Sequence, residues 1–367
     1  VEGVVVNPPI NSQVDSQWWN GRTVLVTGHT GFKGAWLCML LHRLGAKVVG
    51  YSTPPPTDPS LFNLARLGEM VTTINGDVRD LESVRSAIKK ADAQIVLHMA
   101  AQPLVRESYR DPVGTYATNV MGTVNVLEAV RLAGDQVRGV VVVTTDKCYE
   151  NKEWIWSYRE NEPMGGHDPY SSSKGCAELV TSAYRASYFA KSKTAVATGR
   201  AGNVIGGGDW AADRLIPDMM KAFAIGKPVV IRNPGSIRPW QLVLEPLVGY
   251  LSLAQRLVDD GQSVAEAFNF GPRESDAQPV EWIVDHLVKN WGSDARRELA
   301  GGEHPHEAYY LKLDASKARS KLNWTPRTDL ATALSWIVDW YKAYARGEDA
   351  RAISQAQIKA FLDLQTA

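Results

Sequence analysis

The stretch from Arg22 to Gly45 constrains the fold most. Arg22 to Thr27 is a short apolar, β-branched run, Gly28-His29-Thr30-Gly31-Phe32-Lys33-Gly34 is a glycine-rich turn, and Ala35 to Leu44 carries an apolar face closed by Gly45. That order predicts a buried strand, a tight turn and a crossover helix, the opening of a βαβ unit. Glycines at 28, 31 and 34 let the turn close, let backbone approach a pyrophosphate and leave that anion at a helix amino terminus. The spacing is Gly-x-x-Gly-x-x-Gly, not Gly-x-Gly-x-x-Gly. Turns collect glycine anyway, so its place between strand and helix carries the inference.

Further strands are expected at Lys47 to Ser52, Val71 to Asn75, Gln94 to His98 and Val140 to Val143, alternating with helical segments up to Arg200. The fold class expected is α/β, a Rossmann-type doubly wound parallel sheet with a second, smaller α/β domain. Beyond Arg200 the texture changes. Ala201 to Trp210 is glycine-rich and lacks strand periodicity, Pro228 to Arg232 and Ala267 to Phe270 read as strands, and Val243 to Leu257, Trp282 to Trp291 and Thr328 to Tyr344 read as helices. The division expected is a dinucleotide domain over 1–200, continuing in part through 236–268, a substrate domain over 201–235 and 269–345, and a terminal helix over 346–367. The first dozen residues read as a loose arm.

Forty basic residues balance forty acidic ones among 367, so charge points to neither nucleic acid nor an anionic membrane. The longest apolar runs fall short of the ~20 residues that a membrane span needs. Val1 to Ile10 lacks a charged segment followed by an apolar core, so no secretory leader is expected. Cys38, Cys148 and Cys176 are widely spaced, making neither a disulfide framework nor a metal pattern. Cys148 reads better as a small buried filler than as a nucleophile. A reducing, cytoplasmic compartment follows most simply.

The chemistry concentrates between Val140 and Lys174. Val140 to Val143 has no polar alternation, as in a strand buried on both faces. Thr144, Thr145, Asp146 and Lys147 follow at its carboxyl end, where open α/β sheets place their ligands. Asp168-Pro169 is a helix start. Tyr170 and Lys174, four apart, then share a helix face. An ammonium beside a phenol lowers a pKa that starts near ~10, giving a base for a sugar hydroxyl. Such a pair also occurs on many helix faces without chemistry, and its context decides.

The other strand ends address the cofactor. Tyr51 and Ser52 stand where an acidic residue usually binds the ribose, so NAD against NADP is left open; no Arg follows directly, which favours NAD. Asp77 is placed to meet an adenine or to form a turn, and Asp80 to cap a helix. Met99-Ala100-Ala101-Gln102 offers small residues against which a cofactor can lie. Asn119, in a helix over Pro112 to Leu132, reads as a satisfied core amide or a brace for the catalytic strand.

Together, Thr27-Gly-x-x-Gly-x-x-Gly34, His98 to Gln102, Thr144-Thr145-Asp146 and Tyr170-x-x-x-Lys174 resemble the extended short-chain dehydrogenase/reductases that modify nucleotide sugars. The resemblance runs from about residue 20 to 345. Within that group, Thr145 to Trp154, Gly206 to Trp210 and Arg238-Pro239-Trp240-Gln241 resemble the CDP-glucose 4,6-dehydratases, since most other 4,6-dehydratases carry Asp-Glu where Asp146-Lys147 stands. The resemblance implies oxidation at C4, elimination across C5–C6 and hydride return to C6 of CDP-glucose, a step in making deoxysugars for lipopolysaccharide.

As roles, it implies Tyr170 as base at the 4-hydroxyl, Thr145 on the same oxygen, Lys174 on the phenol and ribose, Asp146 as acid at the C6 oxygen and Lys147 as base at C5. It implies NAD contacts at Gly28, Thr30, Gly31, Phe32, Gly34, Ser52, Asp77, Val78, Ala100, Ala101, Gln102, Asn119, Tyr170 and Lys174, with substrate held by Gln102, Asn203, Arg214 and Arg238 and no metal. Trp154, Trp156 and Tyr158 read as a lid or as loop packing. The helices over 112–132 and 170–190 imply a homodimer or homotetramer. A nucleotide-sugar 4-epimerase shares the glycine turn and Tyr170-x-x-x-Lys174 but has no use for Asp146-Lys147; a non-catalytic dinucleotide sensor has no use for either pair.

Overall fold

The computed structural model describes residues 14–231, 233–292, 295–299 and 310–364. The loose arm expected over the first dozen residues, Arg232 and the last three residues of the expected terminal helix lie outside them.

β-Branched, apolar runs build the sheet. Strands β1 (Thr23–Thr27), β2 (Lys47–Ser52), β3 (Thr72–Asn75), β4 (Ile95–His98), β5 (Gly139–Thr145) and β6 (Ala195–Ala201) are all short and largely buried except at the β3 edge. Beyond β6 come β7 (Val204–Ile205), β8 (Val229–Ile231), β9 (Gln241–Leu242), β10 (Ala267–Phe270) and β11 (Arg297–Leu299). Seven strands form one parallel sheet in the order β10-β6-β5-β4-β1-β2-β3. The order reverses between β1 and β4, and there the two halves of a doubly wound sheet open a crevice at the carboxyl ends of the strands. The segment 201–210 does contain a strand, contrary to the periodicity reading: Val204 and Ile205 pair in parallel with Gln241 and Leu242. Two residues are too few to show alternation.

Helices cover both faces. Strand side chains alternate, so Val24, Val26, Val141 and Val143 join one core while Leu25, Val140 and Val142 join the other. The first core is closed by α1 (Phe32–Arg43) and, later in the chain, by α6 (Leu244–Asp260) and α8 (Leu330–Ala345); the second by α2 (Leu81–Ala91), α3 (Gly122–Leu132) and α4 (Pro169–Tyr184). Helices α5 (Leu215–Ala224), α7 (Val280–Trp291) and α9 (Ala350–Asp363) are the other long helices of the described residues, beside several short ones.

Local chemistry sets several helix starts. Asp80 caps α2 by accepting from Ser83 N at 3.0 Å, and Asp168 caps α4 from Ser171 N at 2.9 Å with Pro169 next. The helix expected over 112–132 exists but contains a π turn at Ala117–Met121. Such a turn inserts one residue and re-aims its neighbours, here around Asn119.

Candidate active site

The crevice is shaped by backbone proximity. Gly28 has φ +73°, and a Cβ there would lie 2.7 Å from the Ala100 backbone. A Cβ on Gly34 would lie 2.2 Å from Gly28 O, so both positions require glycine. Thr27 Oγ1 accepts from Met99 N and Ala100 N, each at 3.1 Å, tying the two strand ends together. Helix α1 starts behind Gly31 with no side-chain cap and no acidic residue in its first turn. Its leading amides therefore suit an anion such as a dinucleotide pyrophosphate.

Around this turn the expected cofactor residues sit as follows. Thr30 Oγ1 and Ser52 Oγ lie 2.7 Å apart at the end of β2 and 3.1 and 2.7 Å from Thr53 O, so one hydroxyl donates to the other, which donates to that carbonyl. Phe32 reaches Gly206, with the ring edge 3.1 Å from where a Cβ would stand. Asp77 caps its own turn, accepting from Arg79 N at 2.9 Å and from its guanidinium at 2.6 Å, and that neighbour holds the carboxyl below its ordinary range. Of the two readings of Asp77, the turn is the one its side chain makes. Val78 is buried, its carbonyl accepting from Asn125 at 2.9 Å.

Asn119 is a satisfied amide and a brace at once. Its oxygen accepts from Gln102 N at 2.8 Å while its nitrogen donates to Gln102 O at 3.0 Å and Ser173 Oγ at 2.9 Å. It joins the strand-end loop to α4. The Gln102 side chain is spent locally, donating to Leu104 O and Thr115 Oγ1 and accepting from Leu104 N. Ala100 and Ala101 are half-buried beside it.

At the end of β5, Asp146, Lys147 and Cys148 form one 3-10 turn. Asp146 is 1% exposed; its Oδ1 accepts from Thr145 Oγ1 at 2.8 Å, and its Oδ2 has no partner among the described residues. Burial raises its pKa above the ordinary carboxyl range, against the pull of the nearby Lys147 charge. Among the described residues Lys147 makes no ion pair or side-chain hydrogen bond, so the pairing with Asp146 or Glu150 that sequence leaves open is not formed. Burial pushes the Cys148 thiol well up, which fits an inert filler.

Tyr170 and Lys174 do share the buried face of α4, at 9% and 7% exposure. The expected lowering of the phenol is not found: burial drives Tyr170 up to about 12, opposed by Thr145 and Arg214. Lys174 is itself driven down to about 8 by burial, with Glu178 opposing, and its Nζ donates to Val143 O at 3.4 Å. Desolvation dominates, and the groups that oppose it most at the phenol are Thr145 and Arg214, not the ammonium on which the spacing argument rested.

Three of the expected substrate residues come from segments beyond β6. Asn203 precedes β7, its carbonyl accepting from Gln241 N at 3.0 Å. Arg214, at the head of α5, donates to the buried Asp209 at 3.0 Å. Arg238 is 9% exposed, donates to Ile237 O at 2.9 Å and lowers the Asp146 pKa by its charge. The aromatic loop divides: Trp156 is 67% exposed, whereas Tyr158 is buried, stacked between Tyr149 and Trp154, and no lid.

Sequence reasoning missed four groups, the half-buried Lys33 and the buried Glu178, Arg200 and Tyr250. Lys33, in the glycine turn, donates to Tyr250 Oη at 3.1 Å, and burial followed by the charges of Lys174 and Arg214 lowers it to about 7. A charge between Phe32 and Gly34 at the head of an apolar helix was the available signal. Glu178 and Arg200 pair at 2.8 Å, each about 5% exposed. Glu178 continues the Tyr170–Lys174 stripe by four residues, which is a legible sign; Arg200 and Tyr250 are joined to it only by the fold.

A family model described as GDP-mannose 4,6 dehydratase matches residues 25–336. The CDP-glucose 4,6-dehydratase of Salmonella typhimurium (strain LT2) is 54% identical over 358 residues, covering 96% of this chain and 99% of that protein. Among solved structures, the dTDP-glucose 4,6-dehydratase of Bacillus anthracis in complex with NAD has a TM-score of 0.72 at 23% identity, covering 90% of this chain and 100% of that one. The UDP-glucose 4-epimerase of Stenotrophomonas maltophila has a TM-score of 0.77 at 21% identity, covering 89% and 99%. With its reversed sheet order, glycine crevice and acid-bearing turn beside Tyr170, the chain belongs to the nucleotide-sugar 4,6-dehydratase family of extended short-chain dehydrogenase/reductases.

Proposed function

We propose that this protein converts CDP-glucose to CDP-4-keto-6-deoxyglucose and water with bound NAD, a step toward deoxysugars. The observation that carries the chemistry is the Asp146 carboxyl, buried next to Tyr170 with one oxygen unpartnered among the described residues and its pKa raised. The choice of cytidine rests on the 54% identical relative.

The cofactor would be held by the leading amides of α1, by Gly28, Gly31 and Gly34, by Thr30, Phe32 and Ser52 at the β2 end, by Asp77 and Val78, and by Ala100, Ala101 and Gln102 backed by Asn119. The chemistry supplied by bound NAD is hydride acceptance from C4 and hydride return to C6. Tyr170 takes the 4-hydroxyl proton, with Thr145 on the same oxygen and Lys174 at the nicotinamide ribose. The resulting 4-ketone acidifies the C5 proton. Lys147, which makes no ion pair among the described residues, removes that proton, while Asp146 gives a proton to the departing C6 oxygen, so that water leaves. A raised carboxyl pKa suits the donor. Protonation at C5 closes the cycle with the oxygen count reduced by one.

Arg214 and Arg238 would bind the substrate pyrophosphate with the planar forks suited to it, alongside Asn203, whereas the polar groups of Gln102 are already engaged by Asn119, Leu104 and Thr115. On this reading residues 201–235 and 269–345 form the sugar-nucleotide domain, apart from the end of β10 and from α8, which pack with the parallel sheet, and the rest up to 268 the NAD domain. Exposed Tyr109, Val113, Met121, Leu179 and Tyr188 around the helices over 105–132 and α4 support a homodimer or homotetramer. No helix of the described residues is long and apolar enough to cross a membrane. Three free cysteines support a cytoplasmic setting.

The test is mass spectrometry after incubating the protein with CDP-, dTDP-, UDP- and GDP-glucose, with and without NAD. A product lighter by one water from CDP-glucose in preference to the others supports the reading; an unchanged mass with inversion at C4 refutes it.

A further inference from the structure

Tyr170, Lys174 and Glu178 form one stripe on α4, spaced by four residues and buried to 9%, 7% and 5% exposure. The first two have roles in the proposed reaction; the third has none. A buried carboxylate this deep needs partners, and Glu178 has three. Its Oε1 accepts from Thr144 Oγ1, and its Oε2 accepts from Thr198 Oγ1 at 2.8 Å and Arg200 Nη2 at 2.8 Å. These donors hold it in its anionic form, below the ordinary carboxyl range despite burial.

The donors are placed where register matters. Thr144 is the residue before Thr145 on β5, and it lies opposite Arg200 in the β5–β6 pairing. Arg200 continues to Tyr149 Oη at 2.8 Å and Glu160 O at 3.1 Å, just beyond the turn that holds Asp146 and Lys147. Tyr149 in turn donates to Asn269 Oδ1 at 2.7 Å on β10. One carboxylate thus joins α4, β5 and β6, and through Arg200 the segment that follows the acid-bearing turn.

We propose that Glu178 is a positioning residue for the oxidising pair: fixed by Thr144, Thr198 and Arg200, it locks α4 in one register on β5 so that Tyr170 meets Thr145, and it keeps an anion one turn below Lys174. The inference rests on the dehydratase reading of the site. Lys174 is faced by Glu178 from its own helix, by Cys148 from the turn after β5, by Lys33 from the glycine turn and by His98 from β4. Among these Glu178 heads the groups that favour the ammonium. Removing its charge leaves Arg200 uncompensated nearby, which acts on Lys174 in the same direction.

The experiment is turnover of CDP-glucose by the NAD-loaded full chain between about pH 6 and about pH 10, for wild type, Glu178→Gln, Glu178→Asp and Thr144→Val. Wild-type turnover tests the dehydratase reading separately, and its absence sinks that reading. Glu178→Gln is expected to lower kcat roughly 10–100-fold with KM for CDP-glucose nearly unchanged. It is also expected to move the alkaline limb of the profile down by about one pH unit. Glu178→Asp, which keeps the charge on a shorter stem, should restore the limb but not the full kcat. Thr144→Val cuts the tie to β5 and keeps the charge, so kcat should fall with the limb unmoved; this holds the test open if Glu178→Gln does not fold. A Glu178→Gln profile that superimposes on wild type with only a lower Tm, or a Thr144→Val kcat equal to wild type, overturns the proposal.

Discussion

Thr145 donates its hydroxyl to Asp146 Oδ1 at 2.8 Å, leaving Oδ2 of the same buried carboxyl without a partner among the described residues. An acid held by one oxygen and raised in pKa is poised to donate through the other. Asp146→Asn keeps the shape and removes the proton. It should lower dehydration roughly 100–10,000-fold while CDP-glucose affinity stays close to wild type. Rapid-quench mass analysis and calorimetric binding read the two effects separately.

Lys147 shares the turn but no ion pair with Asp146. Lys147→Ala should leave NAD and sugar-nucleotide binding intact and abolish exchange of the C5 proton with solvent deuterium. Undiminished exchange would remove Lys147 from its role as base.

Gly34 abuts Gly28 O so closely that a Cβ would stand 2.2 Å from it. Gly34→Ala should therefore displace the turn, costing about 1–3 kcal/mol of stability and weakening NAD binding. Thermal melting with and without NAD would show both a lower Tm and a smaller NAD-induced rise.

Burial lowers Lys33 to about 7 and Lys174 to about 8 from the ordinary 10.5. The unfolded chain then binds more protons than the folded one across that window, so stability rises with pH there. The contribution is complete above 10.5 and is lost as pH falls through about 8 and then about 7. Tyr170, raised to about 12 from 10, acts oppositely above pH 10. The Tm of the ligand-free protein should accordingly climb from about pH 7 to about pH 9.5. Lys33→Met should flatten that climb and raise Tm at neutral pH, each ~1 kcal/mol appearing as roughly 1–2 °C in a chain of this size.

Local signals carried the sheet and the ends of its helices. The apolar β5 run, the glycine turn after β1 and the Asp168-Pro169 start of α4 are all contiguous, so short-range chemistry reveals them. The Tyr170–Lys174 face was legible from spacing alone, but its electrostatics were not. Desolvation depends on what the rest of the chain packs over that face, including Tyr250 from α6, some 80 residues later, with its ring beside Gly199. Tyr158 resembles a lid residue in sequence because its burial is made by Tyr149 stacking and by Asn269, whose Nδ2 donates to its carbonyl at 2.9 Å. The pairing of β7 with β9 and the Glu178–Arg200 bond join segments with no pattern in common.

Asp146 and Lys147 occupy a three-residue turn of their own, while Tyr170 and Lys174 belong to α4 and the dinucleotide cradle to the start of α1. On the proposed roles, the groups that oxidise and the groups that decide what becomes of the ketone belong to different elements. A substitution in the short turn then changes the outcome of the reaction without touching the helix that begins it.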